Sequence, residues 1–309
     1  MDVAATGRNA TATEETTAQR RILVIFNPAA GGSRPMRFAG VLAALKKLQA
    51  DVRVVETTAP GHAERIAREA QGIDVIAVGG GDGTVNEVVN GLKDNPHAAA
   101  IALGLIPLGT ANVLADEIGL ARDARVVARA LVEGPIRPIH LGLVNGRRFV
   151  MMAGAGFDAN VVHGVSLGLK KIVGPLAYVW QALVQAFKED HAPSTVHIDG
   201  VPYETVSTVV CNGRRYGGPF IAAPDATLTE DRFHVILMPG RGWFNVARYG
   251  AALMMGRISK LADVKLVPGR RVLVNGVGGR PVQADGDIVT TLPAEIAVDP
   301  QALKVVFPV

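Results

Sequence analysis

The chain has 309 residues, of which 49% are hydrophobic and 19% are charged. This composition supplies enough apolar material for about two domains with buried cores, and it excludes a disordered or fibrous protein. A formal net charge of +4 predicts no nucleic-acid partner, although it is compatible with weak attraction to anionic lipid or to a nucleotide. The single cysteine, Cys211, cannot form an internal disulfide, so we expect a reducing, cytoplasmic location.

Two features of the sequence bear on export and membrane insertion. Residues 1–20 are rich in Ala and Thr and lack the apolar core of a secretory signal, so we predict a disordered tail. The two longest stretches without Asp, Glu, Lys or Arg cover residues 95–115 and 172–187. Glycine and proline interrupt the first, and the second is too short to span a bilayer. The sequence therefore predicts no transmembrane segment.

The first half of the chain alternates short apolar runs with patterns of helical period. The runs predict strands at 22–26, 52–57, 73–78 and 101–106, and the patterns between them predict helices at 35–50, 63–71 and 85–93. This alternation is typical of βαβ units, so we predict an α/β domain with a parallel sheet. Parallel sheets bind ligands at the carboxyl ends of their strands, and here those ends are rich in Gly, Pro, Asn and Thr.

The pattern changes near residue 138, after which strands follow one another with few helices between them. Predicted strands cover 139–144, 148–152, 194–198, 206–212, 233–237, 264–266, 271–274, 282–284 and 295–298, and predicted helices cover 174–187 and 243–260. Such spacing indicates a mainly antiparallel β domain. We therefore predict a nucleotide-binding domain over 21–138 and a β-rich domain over 139–309, whose last strand is free to return to the first domain.

A glycine-rich loop ends the third predicted strand. Residues 79–84 read Gly-Gly-Gly-Asp-Gly-Thr, and a helix with Asn86 and Glu87 in its first turn follows at once. Backbone N–H groups in such a loop approach phosphate oxygens, and the helix N-terminus favours negative charge. No lysine follows, so this is not a Walker A loop, and the spacing is not that of a dinucleotide fold.

Asp82 places a carboxylate inside this predicted phosphate site. It would repel a phosphate unless a cation lay between them, so we predict Mg²⁺ together with a nucleoside triphosphate. The alternative is a tight turn in which Asp82 only caps the helix.

Several motifs in this order resemble one family. Residues 80–84 (Gly-Gly-Asp-Gly-Thr), followed by Asn86, Glu87, Asn90 and Gly91, are similar to the nucleotide loop of the diacylglycerol kinase and sphingosine kinase superfamily, most closely to its soluble bacterial lipid kinases. The other matching motifs are Asn27-Pro28 with Gly31-Gly32, residues 107–112 (Pro-Leu-Gly-Thr-Ala-Asn), residues 154–158, and Asp285-Gly286-Asp287. The resemblance covers residues 21–309 and does not specify the lipid.

The resemblance implies an ATP- and Mg²⁺-dependent lipid kinase with the α/β plus β fold of diacylglycerol kinases and NAD kinases. The residues it assigns to nucleotide binding are Asn27, Thr57, Gly80, Gly81, Asp82, Gly83, Thr84, Val85, Asn86, Glu87, Gly109, Thr110 and Asn112. It also places Asp82 near the catalytic Mg²⁺. We expect the lipid to bind in the cleft between the domains.

The late Asp-Gly-Asp motif supplies the expected catalytic base. In the family the second acidic residue of this motif is usually Glu, and it accepts the proton of the lipid hydroxyl. The resemblance assigns this role to Asp287. Asp285 is retained beside it because either carboxylate could face the cleft. The alternative is an ordinary Asp-Gly hairpin turn.

This chain departs from the family pattern at two places. Val113 stands where relatives often have an aspartate that organises metal and water, and Asp116, one helical turn on, is a candidate to compensate. Relatives also bind a structural Mg²⁺ through an Asp and two backbone carbonyls. Here Glu230 occupies the Asp position, and Thr227 and Arg232 would supply the carbonyls.

The family implies a lipid substrate and transient, peripheral contact with a membrane. Residues 243–260 combine apolar and basic side chains, which suits an anionic bilayer, although a helix that simply covers the second sheet fits equally well. Two other functions stay open: an NAD kinase-like enzyme, because that family shares the Gly-Gly-Asp-Gly-Thr loop, and a nonenzymatic nucleotide or lipid sensor. The oligomeric state is also open, with a homodimer as one alternative.

Overall fold

The two halves of the chain form different kinds of sheet. The computed structural model describes residues 19–29, 34–156 and 193–309. Most of the predicted tail, the Gly31-Gly32 pair, the end of the 154–158 motif and the predicted helix over 174–187 lie outside the described residues.

The first half supplies five strands and five α-helices. They are β1 (Arg21–Phe26), α1 (Arg34–Lys47), β2 (Asp51–Glu56), α2 (His62–Glu69), β3 (Val75–Gly80), α3 (Asp82–Lys93), β4 (Ala102–Pro107), α4 (Val113–Glu117), α5 (Ala124–Glu133) and β5 (Ile136–Ile139).

The described second half is almost entirely β. Its elements are β6 (Gly142–Val144), β7 (Arg147–Phe149), β8 (Met152–Ala155), β9 (Ser194–Ile198), β10 (Val201–Thr205), β11 (Ser207–Cys211), β12 (Arg215–Tyr216), β13 (Phe220–Ile221), β14 (Phe233–Met238), α6 (Gly242–Met254), β15 (Lys265–Gly269), β16 (Arg271–Asn275), β17 (Pro281–Ala284), β18 (Asp287–Thr291), β19 (Ala294–Val298) and β20 (Leu303–Val306).

The first sheet has the strand order β2-β1-β3-β4-β20-β5. All its pairs are parallel except that between β20 and β5. Every residue of β3 and β4 is buried, as expected for central strands that are covered by helices on both faces. Gly79 pairs with Ile106 and Gly80 with Pro107, so the loops after these two strands begin at the same level of the sheet.

The second half forms a sandwich of two antiparallel sheets, with orders β10-β9-β16-β19-β6-β7 and β15-β14-β11-β8-β17-β18. Their facing side chains form one core, in which the rings of Phe149 and Phe233 stack at 5.7 Å between centroids. On the outer face of the second sheet, α6 buries Tyr249 and Ala252 against a separate apolar cluster. The predicted fold class, an α/β domain with a mainly antiparallel β domain, is confirmed.

Several predicted elements differ from the observed ones. The strand predicted over 148–152 is two strands, because the chain passes from one sheet of the sandwich to the other at Val150 and Met151. The helix predicted over 243–260 ends at Met254, since Gly256 adopts a positive φ of 62°. The strand range 303–306 and the helices α4 and α5 had no sequence prediction, whereas a return of the last strand to the first domain was among the predictions, and β20 lies in the first sheet.

None of the helices in the described parts of the chain combines the length and the apolar character that crossing a bilayer requires.

A buried ion pair within the β-rich half holds the arginine that contacts the first half. Arg148 on β7 donates from Nε to Oδ2 of Asp299 at 2.5 Å, and the two side chains are only 4% and 5% exposed. The same guanidinium reaches the carbonyl of Val89 on α3, and the Arg148 backbone exchanges hydrogen bonds with the Asn90 side chain. Arg148 therefore fixes β7 against the helix that follows the glycine loop, and Asp299 balances its charge.

We expect Arg148→Met to lower the free energy of unfolding by about 3–5 kcal/mol, because it leaves the Asp299 carboxylate buried without its cation. Urea denaturation measures the change. The exposed pair of Arg271 with Glu295, at 2.7 Å, is the matched control, and Arg271→Met should cost less than about 1 kcal/mol. Equal effects of the two variants would show that the Asp299 carboxylate does not depend on Arg148 for its burial.

Candidate active site

Three loops at the carboxyl ends of adjacent strands form the site. Asn27 follows β1, Gly81 follows β3 and Leu108 follows β4. Backbone hydrogen bonds hold the loops together: Asn27 N donates to the Gly79 carbonyl at 2.8 Å, and Leu108 N donates to the Gly80 carbonyl at 3.0 Å. The sheet thus gathers three segments that are far apart in sequence.

The second and third loops touch backbone to backbone. A Cβ added to Gly109 would lie 2.5 Å from Gly81 Cα, and one added to Gly81 would lie 3.2 Å from Gly109 Cα. Only glycine permits so close an approach. These two glycines are therefore required by the packing of the loops, whatever ligand the loops bind.

Asp82 joins the same two loops through its carboxylate. Its Oδ2 accepts the N–H of Asn112 at 2.9 Å, and its Oδ1 accepts the N–H of Val113 at 2.7 Å. Val113 therefore contributes through its backbone, while its side chain is buried.

The Asn112 side chain closes its own loop. Its Oδ1 accepts from Gly109 N at 2.6 Å and its Nδ2 donates to the Gly109 carbonyl at 2.7 Å, while its backbone has a φ of 53°. Asparagine tolerates this left-handed conformation better than most residues do. The loop is therefore preformed by its own contacts.

Burial raises the pKa of Asp82, hydrogen bonds from Val113 and Asn112 oppose the shift, and the charge of Asp116 adds to it. Asp116 itself pairs with Arg122 at 3.2 Å. Each Asp82 oxygen binds one N–H donor and keeps one lone pair, so a cation beside this carboxylate would relieve the cost of its burial. The donor set at Asp82 thus fits a divalent cation.

The other residues predicted to bind the nucleotide differ in their burial and in their contacts. Thr84 is buried and accepts at Oγ1 from Asn27 Nδ2 at 3.0 Å, so it links the first loop to the second. Thr57 N donates to the Phe26 carbonyl at 2.8 Å just after β2. Thr110 is exposed, Gly83 is exposed at the start of α3, and Val85 is buried. All of these residues lie at or beside the three loops.

Asn86 and Glu87 make contacts that serve the packing of the protein. Asn86 Nδ2 donates to the carboxylate of Asp285 at 3.0 Å and to the carbonyl of Arg148 at 3.2 Å. Glu87 Oε2 accepts the N–H of Ala63 at 3.1 Å. Their side chains thus hold α3 against the β-rich half and against α2.

Asp285 is fully enclosed by donors. Oδ2 accepts from Val150 N at 2.7 Å and from Asn86 Nδ2 at 3.0 Å, whereas Oδ1 accepts from Met151 N at 2.8 Å and from Met152 N at 3.2 Å. Burial raises the pKa of Asp285, and these hydrogen bonds counteract the shift. A carboxylate has about four lone-pair positions, so Asp285 has none left for a substrate hydroxyl.

Asp287 is placed differently. Asp285 and Gly286, with φ angles of 49° and 91°, form the two-residue turn between β17 and β18, as expected for an Asp-Gly hairpin. Asp287 is the first residue of β18, opposite Ala284, and is exposed. The acidic motif is thus also a hairpin turn, in which the Asp285 carboxylate faces the protein and Asp287 is exposed to solvent.

A small cavity lies between the two buried carboxylates. Asp82 and Asp285 both line it, and its remaining walls are apolar: Val85, Val113, Leu114, Val150, Met151 and Met152. It therefore connects the glycine loops with the point where the chain crosses between the sheets of the sandwich.

The predicted second metal site has a different arrangement. Glu230 Oε2 accepts from Arg232 Nε at 2.7 Å, and the Thr227 carbonyl accepts the N–H of Glu230 at 3.2 Å. The guanidinium thus occupies the side of the carboxylate where a cation would bind. Across the described ranges, no cluster of three or more His, Cys, Asp or Glu side chains is placed to hold a metal. These three residues do not fit a structural Mg²⁺.

Two contacts at the site had no sequence prediction. The backbone N–H groups of Val150 to Met152 bind Asp285, and backbone donors leave no side-chain signal. Glu117 at the end of α4 is 4% exposed in its side chain and binds Arg214 Nε at 3.1 Å. The sequence carries no signal that pairs these two residues, which lie 97 positions apart.

Comparison with known proteins agrees with this geometry. The diacylglycerol kinase catalytic domain model matches residues 21–144, and the YegS C-terminal NAD kinase beta sandwich-like domain model matches residues 151–307. The diacylglycerol kinase of Bacillus subtilis is 29% identical over 94% of this chain and 97% of its own length. A Pseudomonas aeruginosa protein named "Probable lipid kinase YegS-like" is 31% identical over 93% of this chain and 94% of its own.

A solved structure of a diacylglycerol kinase from Bacillus anthracis has the same fold, with a TM-score of 0.77 at 23% identity, covering 94% of this chain and 98% of that one. The two domain models together define a kinase with a diacylglycerol kinase catalytic domain and a YegS-type sandwich. The chain belongs to the family of bacterial diacylglycerol kinases and YegS-like lipid kinases, and the resemblance seen in its motifs is confirmed.

The two acidic residues of the hairpin should separate in a stability measurement. We expect Asp285→Asn to lower the free energy of unfolding by about 2–3 kcal/mol, because the amide places donors against N–H groups that need acceptors. Asp287→Asn should change it by less than about 0.5 kcal/mol, as is usual for an exposed residue. Urea denaturation of both variants checks this, and equal losses would contradict the different placement of the two carboxylates.

Proposed function

We propose that this protein transfers the γ-phosphoryl group of ATP to a hydroxyl of a diacylglycerol-like lipid. ATP binds at the glycine loops, and the lipid enters from the cleft between the α/β half and the β-rich half. The observation that carries the proposal is the Asp82 carboxylate, held between two glycine loops and facing a cavity that reaches Asp285. The family membership supports a kinase that acts on lipids.

The N-terminal turn of α3 binds the phosphates in this proposal. The first N–H groups of a helix have no partner within it, and α3 starts at Asp82, directly after the glycine loop. Phosphoryl transfer mainly requires positioning and neutralisation of charge. A preformed loop provides the positioning because it does not need to be ordered when the nucleotide binds.

Mg²⁺ is assigned to Asp82, and it would supply charge neutralisation at the phosphates when bound. Thr227, Glu230 and Arg232 are left out of the metal assignment because their donor set does not fit. Asp116, paired with Arg122, provides a second negative charge near Asp82.

We assign the base to Asp287. Its carboxylate is exposed, so it is available to take the proton from the lipid hydroxyl at Oδ1 or Oδ2 as the oxygen attacks phosphorus. Asp285, two residues earlier, is assigned a positioning role because four donors occupy its oxygens. The motif alone leaves both carboxylates open as the base, and their different contacts favour Asp287.

One experiment distinguishes the possible phosphoryl acceptors. Purified protein is incubated with radiolabelled ATP and Mg²⁺, and in separate reactions with diacylglycerol in vesicles, with a total lipid extract and with NAD. Label in diacylglycerol supports the proposal, and loss of that label with EDTA supports the Mg²⁺ assignment. Label in NAD alone supports the NAD kinase alternative, and ATP binding without any transfer supports the sensor.

We expect Asp82→Asn to lower phosphoryl transfer by about 100-fold or more, because it removes the charge that holds the cation. Initial rates with diacylglycerol in mixed micelles measure the effect. Asp123 is the matched control: its Oδ1 also accepts two backbone N–H groups, at 2.9 Å and 3.2 Å, but at the start of α5. Asp123→Asn should keep near wild-type activity, and similar losses in both variants would contradict a specific role for Asp82.

We expect Asp287→Asn to lower kcat by about 10²- to 10⁴-fold with little change in ATP affinity, because an amide cannot take up the proton. Asp287→Glu should restore most of the rate, which a purely structural role would not require. The control is Asp225→Asn, at an exposed acidic residue of the same half. A decrease of less than about tenfold in Asp287→Asn would rule out Asp287 as the base.

A further inference from the structure

The helix α6 is apolar on two opposite sides. One side carries the buried residues Val246, Tyr249 and Ala252, which face the second sheet of the sandwich. The other side carries large apolar residues in contact with solvent: Trp243 is 52% exposed and Phe244 is 64% exposed. Most surface helices have a polar outer face, so this outer side is unusual.

We call the exposed residues Trp243, Phe244, Ala251, Met254 and Met255 the apolar face. Met254 and Met255, at the C-terminal end of α6, are 45% and 63% exposed. At about 100° per residue, the five positions fall within a sector of about 120°, and none of them is charged. A patch of this kind on a protein surface marks a site of contact with another molecule.

The chain segment that carries the apolar face has basic residues and no acidic ones. Residues 233–262 contain no Asp or Glu but include Arg241, Arg248, Arg257 and Lys260. Arg248 is neutralised by Asp263, with Nη1 and Oδ1 2.9 Å apart. Arg241 lies exposed at the N-terminal end of the face, and Arg257 and Lys260 lie exposed beyond its C-terminal end. An apolar centre with a basic rim matches an anionic bilayer surface.

The apolar face is linked to the candidate active site by packed elements. The helix contacts β13, which pairs with β12, and β12 contacts α4. Arg214, next to β12, binds Glu117 of α4. The first residue of α4 is Val113, whose N–H binds Asp82. A continuous series of contacts therefore connects α6 with the backbone that binds Asp82.

We propose that the apolar face of α6, with its basic rim, docks the protein on an anionic phospholipid bilayer. The inference rests on the proposed function, because a lipid acceptor resides in the bilayer. The aromatic pair Trp243 and Phe244, in edge-to-face contact with centroids 6.1 Å apart, inserts at the level of the headgroups, where amphipathic aromatic rings are favoured. Arg241, Arg257 and Lys260 contact the lipid phosphates.

Sedimentation with sucrose-loaded vesicles of phosphatidylglycerol and phosphatidylcholine tests the surface without any enzymatic readout. We expect Phe244→Asp/Met255→Asp to weaken binding about tenfold or more, because charge replaces two inserted apolar side chains. Met36 on α1, a methionine that is 78% exposed, is the matched control, and Met36→Asp should bind as wild type. Wild-type binding by the double variant would overturn the proposal.

The basic rim is tested with the same vesicles at increasing salt. Arg257→Gln/Lys260→Gln should bind less tightly at low ionic strength, and the difference from wild type should vanish at high salt because exposed charges are then screened. Binding that is equal at every salt concentration would overturn the role of the rim.

Fluorescence identifies what covers the apolar face. The sequence has two tryptophans, so Trp180→Phe leaves Trp243 as the only reporter. Vesicles should shift its emission to the blue and protect it from acrylamide. Protection before vesicles are added would overturn the proposal: if it depends on protein concentration, a second copy covers the face, and if it does not, another segment of this chain does.

The failures of the two proposals are distinguishable. Phe244→Asp/Met255→Asp should retain its thermal unfolding temperature and its activity on a dispersed short-chain diacylglycerol, while losing activity on vesicles. Binding through the apolar face by a protein that phosphorylates no lipid would overturn the proposed function and still support the surface. Equal turnover of vesicle lipid by the variant and wild type would overturn the surface alone.

Discussion

The Asp285 carboxylate is the interaction on which the rest of the site depends. It receives four N–H groups from two parts of the chain, Asn86 on α3 and residues 150–152 at the crossing between the sheets. A buried charge is tolerated only when its hydrogen-bonding capacity is filled. The glycine-loop helix, the crossing and the Asp-Gly turn are therefore fixed relative to one another by a single side chain, and Arg148 strengthens the same junction through Asn90 and Val89 of α3.

A carboxylate also holds the glycine loops together. Gly81 and Gly109 touch through their backbones, and the Asp82 carboxylate then binds the two N–H groups that follow Gly109 by a few residues. Asp82 and Asp285 thus each have a structural role that does not depend on a ligand. Asp82 binds the backbone N–H of residue 113 and not its side chain. Valine can therefore stand at this position, because every residue except proline supplies that N–H.

The sequence was sufficient to predict the class of fold and the place of the site, because both depend on local patterns. Buried apolar runs separated by helical periods specify β1, β3 and β4, and glycine with Asp82 after β3 marks the loop. Which side chains bind one another was not predictable. Asn86 carries the residue type of a phosphate ligand, but its partner Asp285 lies 199 positions away. Glu230 likewise occupies the position of a metal ligand, and the neighbouring Arg232 neutralises it.

The strand β20 follows the sandwich in sequence but belongs to the first sheet. It lies between β4 and β5 in the first sheet, and β5 pairs only with β20 among the strands described for that sheet. The first sheet therefore stays incomplete while the sandwich is being synthesised. β5 can pair with β20 only after residues 303–306 have left the ribosome. Long-range pairing of this kind slows folding. The first sheet is thus completed by residues from the far end of the second half, and a fragment that stops before β20 would expose the edge of β4.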